Sequence, residues 1–161
     1  MRFSDLLSAD RVAIQHAGQR ASGEAPFDKT AAVKLLAKML AAGALVPVVD
    51  VERVLFEREA LQSTGIGDGV AIPHGAIAQL QTQFAALLIV PEGVDFAAID
   101  GTNVTILFAV VSPKRATGEH LKTLARISRL LRSKEFRERL IHSSDAYAAF
   151  TLVDSEESER R

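Results

Sequence analysis

There is no cysteine in these 161 residues. That absence excludes disulfides, thiolate metal sites and cysteine nucleophiles, and it fits a reducing compartment. Neither sign of charge is in surplus: 19 Lys and Arg against 20 Asp and Glu leave a formal net charge of −1. A chain so balanced has no basic excess with which to hold a nucleic-acid backbone or anionic lipid non-specifically. No apolar run approaches the ~20 residues that span a bilayer. The opening Met1-Arg2-Phe3-Ser4-Asp5 lacks the long apolar core of a secretory signal. No nucleic-acid partner and no membrane insertion are expected, and the cytoplasm is the expected location.

What is present fits one domain with one sizeable core, at 48% hydrophobic and 24% charged residues. Arg11-Val12-Ala13-Ile14 reads as a short strand, followed by a small, polar loop from Gly18 to Pro26. Asp28 N-caps a helix that places Leu35, Leu36, Met39 and Leu40 on one face and ends near Ala42, with Gly43 taking the left-handed position. Asp50 caps a second helix carrying Val51, Val54, Leu55 and Arg58, which stops before Ser63. Val70-Ala71-Ile72, Phe84 to Val90 and Val104 to Val111 are short aliphatic runs bounded by turn residues, read as buried strands. Leu121, Leu124, Ile127 and Leu131 mark a helix, and Ser133 caps another holding Phe136, Leu140 and Ile141. A last helix runs from Asp145 to Leu152. The interleaving makes the class α/β, with a domain over residues 1–152 and a disordered tail over 153–161.

Glycine is concentrated in one place. Gly65, Gly67, Gly69 and Gly75, four of the ten in the chain, flank the single histidine His74 in Gly65-Ile66-Gly67-Asp68-Gly69-Val70-Ala71-Ile72-Pro73-His74-Gly75. Such density means backbone that turns sharply or approaches something closely beside an ionisable nucleophile. The stretch fails both familiar nucleotide patterns. It has no Lys-Ser/Thr for a P-loop, and Val70 stands where a dinucleotide fingerprint needs its third glycine. A helix precedes it and a strand follows, the reverse of the dinucleotide-binding order.

A neutral imidazole is nucleophilic at neutral pH, its reference pKa being about 6.5. One ring nitrogen can take a phosphoryl group while a hydrogen bond to the other selects the tautomer. Phosphoryl transfer asks mainly for positioning and charge stabilisation on three oxygens. Backbone N–H groups from Thr64 and Gly65 through Gly67, Gly69 and Gly75 are the candidate anion cradle. Arg58, one turn before the loop, is a candidate for bidentate pairing with phosphate, the alternative being an exposed pair with Glu57 or Glu59. His120, near the start of the long helix, sits where a cation is disfavoured, so its ring is expected neutral; a capping role is the alternative. No metal site is expected, since neither histidine shows a ligand-type i, i+4 partner, and no G-x-S-x-G elbow marks a serine hydrolase. Arg126, Arg129, Arg132, Lys134, Arg137 and Arg139 interleave with the apolar helical stripe and read mainly as a solvated face.

Taken together, Arg58-Glu59, Ser63-Thr64-Gly65-Ile66-Gly67, Ala71-Ile72-Pro73-His74-Gly75, Gly93-Val94-Asp95-Phe96, Ile99-Asp100-Gly101 and Glu119-His120-Leu121-Lys122 carry a likeness to a known family. The chain resembles the IIA proteins of the bacterial phosphoenolpyruvate-dependent phosphotransferase system, in the fructose/mannitol class, and within it the nitrogen-regulatory branch. The resemblance implies a mixed β-sheet flanked by helices. It implies that His74 is phosphorylated by a small histidine phosphocarrier protein and that His120 and Arg58 steady the phosphoryl group, with no cofactor. The residues alone do not choose the ring nitrogen; a tele-phosphohistidine is the form expected from the resemblance. For the regulatory branch the implied partners are targets such as potassium transporters or sensor kinases, in nitrogen-linked signal transduction. Two readings compete: a free-standing sugar-specific IIA passing phosphate to a separate IIB, and an interaction module that has lost phosphotransfer. The chain departs from the family pattern in the longer Gly18–Pro26 segment and in Ala76, where a basic residue is common.

Overall fold

β5 (Phe84–Val94) and β6 (Val104–Pro113) pair antiparallel, with Ala86 opposite Ala109 and Leu88 opposite Leu107. Ala86, Leu88, Val90, Leu107, Ala109 and Val111 enter one buried cluster, while Ala85, Leu87, Ile89, Ile106, Phe108 and Val110 enter a second. Side chains alternate across a strand, so these two clusters lie on opposite faces of the sheet. Both faces are covered, which is why these runs are continuously apolar instead of alternating. The structure, a computed structural model, describes residues 2–16, 23 and 25–159. Most of the loop expected between residues 18 and 26 lies outside the described residues.

The remaining strands assemble around this pair. β1 (Val12–Ile14) runs parallel to β5, with Val12 beside Leu87. β2 (Gly65–Gly67) and β3 (Val70–Ala71) form a small antiparallel hairpin, and β3 lies parallel to β6 at Ile106 and Leu107. β4 (His74–Ile77) continues along the same edge of β6, from Val110 to Pro113. The sheet is therefore mixed, in the order β1-β5-β6-β3-β2, with β4 also on β6. Ile72 and Pro73 separate β3 from β4. Proline has no N–H to give a ladder, although its carbonyl still accepts from Val110 N at 3.0 Å.

α1 (Lys29–Ala44) and α2 (Val48–Leu61) cover one face through Val33, Leu36, Leu40, Val51 and Leu55. α3 (Thr117–Leu130), α4 (Lys134–Ile141) and α5 (Ala146–Glu159) cover the other, together with Phe3, Leu6 and Leu7. Two expected caps are present: Asp28 accepts from Ala31 N and Ser133 from Phe136 N. Others differ. Gly43 stays helical, and Leu45 takes the left-handed conformation at φ 57°, closing α1 with its N–H on the Ala41 carbonyl. Pro47 caps α2 and Asp50 lies in its first turn, because the fixed proline φ already sets the helix entry.

The expected tail is helical through Glu159. Val153 is buried there, and the buried Glu157 carboxylate accepts from Phe3 N at 2.7 Å and pairs with Arg126. Local composition could not show that a residue at the chain's far end closes over Phe3. Among the described residues, no helix is long and apolar enough to cross a membrane.

Candidate functional site

His74 opens β4, and its position depends on the glycine that follows. A Cβ on Gly75 would stand 2.8 Å from Val54 Cγ2, closer than real contacts allow, and 3.0 Å from Val54 Cβ, tighter than most. Only a bare Cα lets β4 press this tightly against α2. Val54 and Arg58 are four residues apart and share a helix face. Seating Gly75 on Val54 therefore brings His74 beside Arg58, whose Nε donates to His74 Nε2 at 3.2 Å. Arg58 also donates through Nη1 to the Gln62 carbonyl at 2.8 Å, which holds the guanidinium across the end of α2. Among the described residues it pairs with neither Glu57 nor Glu59. Glu57 lies near Arg53, and Glu59 pairs with Lys29.

The hydrogen bonds of His74 define its tautomer. Nδ1 lies 2.8 Å from the Ile72 carbonyl, which can only accept, so Nδ1 carries the proton. Nε2 then holds the lone pair, consistent with accepting from Arg58. The ring is half-buried, and burial lowers its pKa below the ordinary histidine value. The Ile72 carbonyl opposes that shift, the Arg58 charge adds to it, and Glu59 opposes it. The imidazole is thus held neutral with one nucleophilic nitrogen facing a cation.

His120, in the first turn of α3, stacks obliquely against His74, with ring centroids 5.3 Å apart and planes at 54°. Burial and then the neighbouring imidazole lower its pKa as well. Its Nδ1 is 2.6 Å from Ser112 Oγ on β6. Two clefts share Arg58 and His74. One, of about 360 Å³, is lined also by Thr64, Gly65, Ile66 and Leu124. The other, of about 350 Å³, is lined also by Gly75, Lys114 and His120. A guanidinium beside the bare nitrogen and an ammonium on the same cleft can offset the charge of an anion bound there, with a second, neutral imidazole alongside.

The expected phosphate donors are spread more widely. Gly65 and Gly75 border the two His74 clefts. Thr64 lines the first, but its N–H and hydroxyl both donate to the buried Glu59 carboxylate, so its donors hold the loop to α2. Gly67 and Gly69 flank Asp68 in the β2–β3 turn, with φ of 99°, 57° and 77° over the three residues. That run of left-handed backbone is what the turn needs. Neither glycine lines a His74 cleft; Gly67 borders a separate one with Asp68 and Ser128.

Ser112, Lys114 and Gln83 were not singled out in the sequence. Each is an ordinary polar residue at a strand end, and nothing local marks it. Within the basic cluster, Arg126 pairs with Glu157, and Arg137 donates to the Leu131 and Arg132 carbonyls, so these two serve the fold. Among the described residues, no group of three or more His, Asp or Glu side chains is placed to hold a metal ion.

Residues 23–156 match the family model described as phosphoenolpyruvate-dependent sugar phosphotransferase system, EIIA 2. A nitrogen regulatory protein of Bradyrhizobium diazoefficiens is 40% identical over 100 residues, covering 62% of this chain and 65% of that relative. The match thus spans just under two thirds of the relative's length. The crystal structure of nitrogen regulatory protein IIA-Ntr from Neisseria meningitidis superposes with a TM-score of 0.81 at 30% identity, covering 94% of this chain and 98% of that one. IIA mannitol from Escherichia coli shares the fold, with a TM-score of 0.71 at 21% identity over 91% of this chain and 98% of that one.

Proposed function

Because the chain belongs to the EIIA 2 family of the phosphoenolpyruvate-dependent sugar phosphotransferase system, we propose that it is a regulatory phosphoryl carrier whose acceptor is His74. The supporting observation is the pairing of a Nδ1-protonated, neutral His74 with the Arg58 guanidinium at its bare Nε2. The donor is a small histidine phosphocarrier protein. His74 Nε2 attacks phosphorus as the bond from phosphorus to the carrier's imidazole nitrogen breaks, and the electron pair returns to that nitrogen. No proton leaves His74: Nδ1–H stays on the Ile72 carbonyl, and the ring's new positive charge is offset by the phosphoryl oxygens. Arg58 moves its N–H donors from Nε2 to those oxygens, Lys114 supplies a second cation at the rim of the same cleft, and His120 stands beside them as a neutral ring. The product is a tele-phosphohistidine.

The output is phosphorylation-dependent binding to nitrogen- or potassium-linked regulatory targets, such as a transporter or sensor kinase. Similarity to the nitrogen regulatory proteins supports this branch. One added phosphoryl group brings about −1.5 to −2 charges to a single surface point, enough to change which partner docks. Intact-mass analysis at alkaline pH, after mixing with a charged phosphocarrier, tests the reading. One added phosphoryl group is expected, lost entirely in His74→Ala and formed more slowly in Arg58→Ala and His120→Ala. Phosphorylation of His74→Ala at the normal rate would overturn it.

A further inference from the structure

Behind His120 lies a buried chain of polar side chains drawn from three separate segments of the chain. Thr123 of α3, Gln83 just before β5 and Ser112 of β6 are 4%, 2% and 0% exposed. Thr123 Oγ1 donates to Gln83 Oε1 at 2.8 Å, Gln83 Nε2 donates to Ser112 Oγ at 2.9 Å, and Ser112 Oγ meets His120 Nδ1 at 2.6 Å. Burying three such groups is unfavourable unless every one is satisfied, and an apolar trio would close the same space more simply.

The chain has a direction. With its carbonyl oxygen taken by Thr123, Gln83 turns its NH2 toward Ser112 and donates. Ser112 has one hydroxyl proton, and His120 Nδ1 is its acceptor in this chain. A neutral ring that accepts at Nδ1 carries its own proton on Nε2. We propose that Thr123, Gln83 and Ser112 are positioning residues that hold His120 as the Nε2–H tautomer, the complement of the Nδ1–H tautomer of His74. The two rings then offer one lone pair and one N–H donor to the same phosphoryl group. This rests on the phosphoryl-acceptor reading and adds to it how the second histidine is kept a donor.

The chain's direction can be reversed by substitution. In Gln83→Glu the ionised carboxylate only accepts, so Ser112 must donate to it and accept from His120 Nδ1–H. Ring-nitrogen NMR of the full-length, 15N-labelled protein at alkaline pH reads which nitrogen bears the proton. The wild type is expected to show His120 protonated at Nε2 and His74 at Nδ1. Gln83→Glu should move the His120 proton to Nδ1, leave His74 unaltered and slow transfer from the carrier by roughly tenfold or more, as loss of a placed donor does. Ser112→Ala leaves Gln83 Nε2 unpaired and should lower stability, but the folded protein should show mixed His120 tautomers and slower transfer, with Ser112→Thr restoring both. A wild-type His120 protonated at Nδ1, or a Ser112→Ala protein with unaltered tautomer and rate, would overturn the proposal. Either result leaves the His74 mass experiment untouched. Conversely, phosphate persisting on His74→Ala would sink the acceptor reading whatever the His120 tautomer.

Discussion

At the scale of single residues, the site is governed by how little room lies between Gly75 and Val54. Gly75→Ala forces a methyl group into Val54, and overpacking of this kind costs about 1–3 kcal/mol. It also pushes β4 from α2, lengthening the Arg58–His74 contact. Transfer to His74 is expected to fall roughly tenfold or more, since small misplacements are expensive in positioned chemistry. Val54→Ala in the same chain should recover part of both losses; stopped-flow transfer and urea denaturation read the two effects. The histidines also set a pH dependence. Both have pKa values lowered in the folded state, so the unfolded chain binds protons that the native protein refuses. Above the unfolded value of about 6.5 they contribute no slope. Below it, stability falls with pH until the lowered native values are reached. Denaturation midpoints between neutral and mildly acidic pH should show this decline, and it should be smaller in a His74→Gln protein.

Among the elements, α5 shows where local reading fails and why. Its second half is polar in sequence and looks like a tail, yet Val153 is buried and Glu157 takes the Phe3 N–H and the Arg126 guanidinium. Removing one partner of a buried pair leaves the other uncompensated, typically a loss of 3–5 kcal/mol. Here the buried partner is the one removed and Arg126 and Arg2 remain partly exposed, so Glu157→Ala is expected below that range, at about 1.5–3 kcal/mol for the lost charged hydrogen bonds, by chemical denaturation. A freely solvated tail would give a change near zero. The helix starts at Asp28 and Ser133 were legible because a cap is a bond between residues three apart. β2 and β4 were not, because Gly65-Ile66-Gly67 and His74-Gly75-Ala76-Ile77 lack the β-branched run that marked the comparably short β1 and β3, so only their partners in the sheet define them.

For the whole molecule, the two apolar clusters separated by the sheet behave as two cores. Leu36 of α1 belongs to one and Leu140 of α4 to the other, both fully buried. Each change to Ala should cost about 2–5 kcal/mol. With the sheet between them, their effects should add to within about 0.5 kcal/mol. A strongly non-additive double variant would mean that the sheet transmits packing changes from one face to the other.

The order of chain segments settled the α/β class, the uninterrupted apolar runs of β5 and β6 indicated strands covered on both sides, and Pro73-His74-Gly75 marked where the chemistry would be sought. These are properties of neighbours, and neighbours are what a sequence displays. Which atoms face Nε2, which tautomer each ring adopts and what stands behind His120 were decided only when α2, α3, β4 and β6 packed together. Arg58 reaches His74 across 16 positions, and Thr123 reaches Gln83 across 40. Contacts at that range are fixed by packing of the whole chain, which no local pattern of residue types encodes.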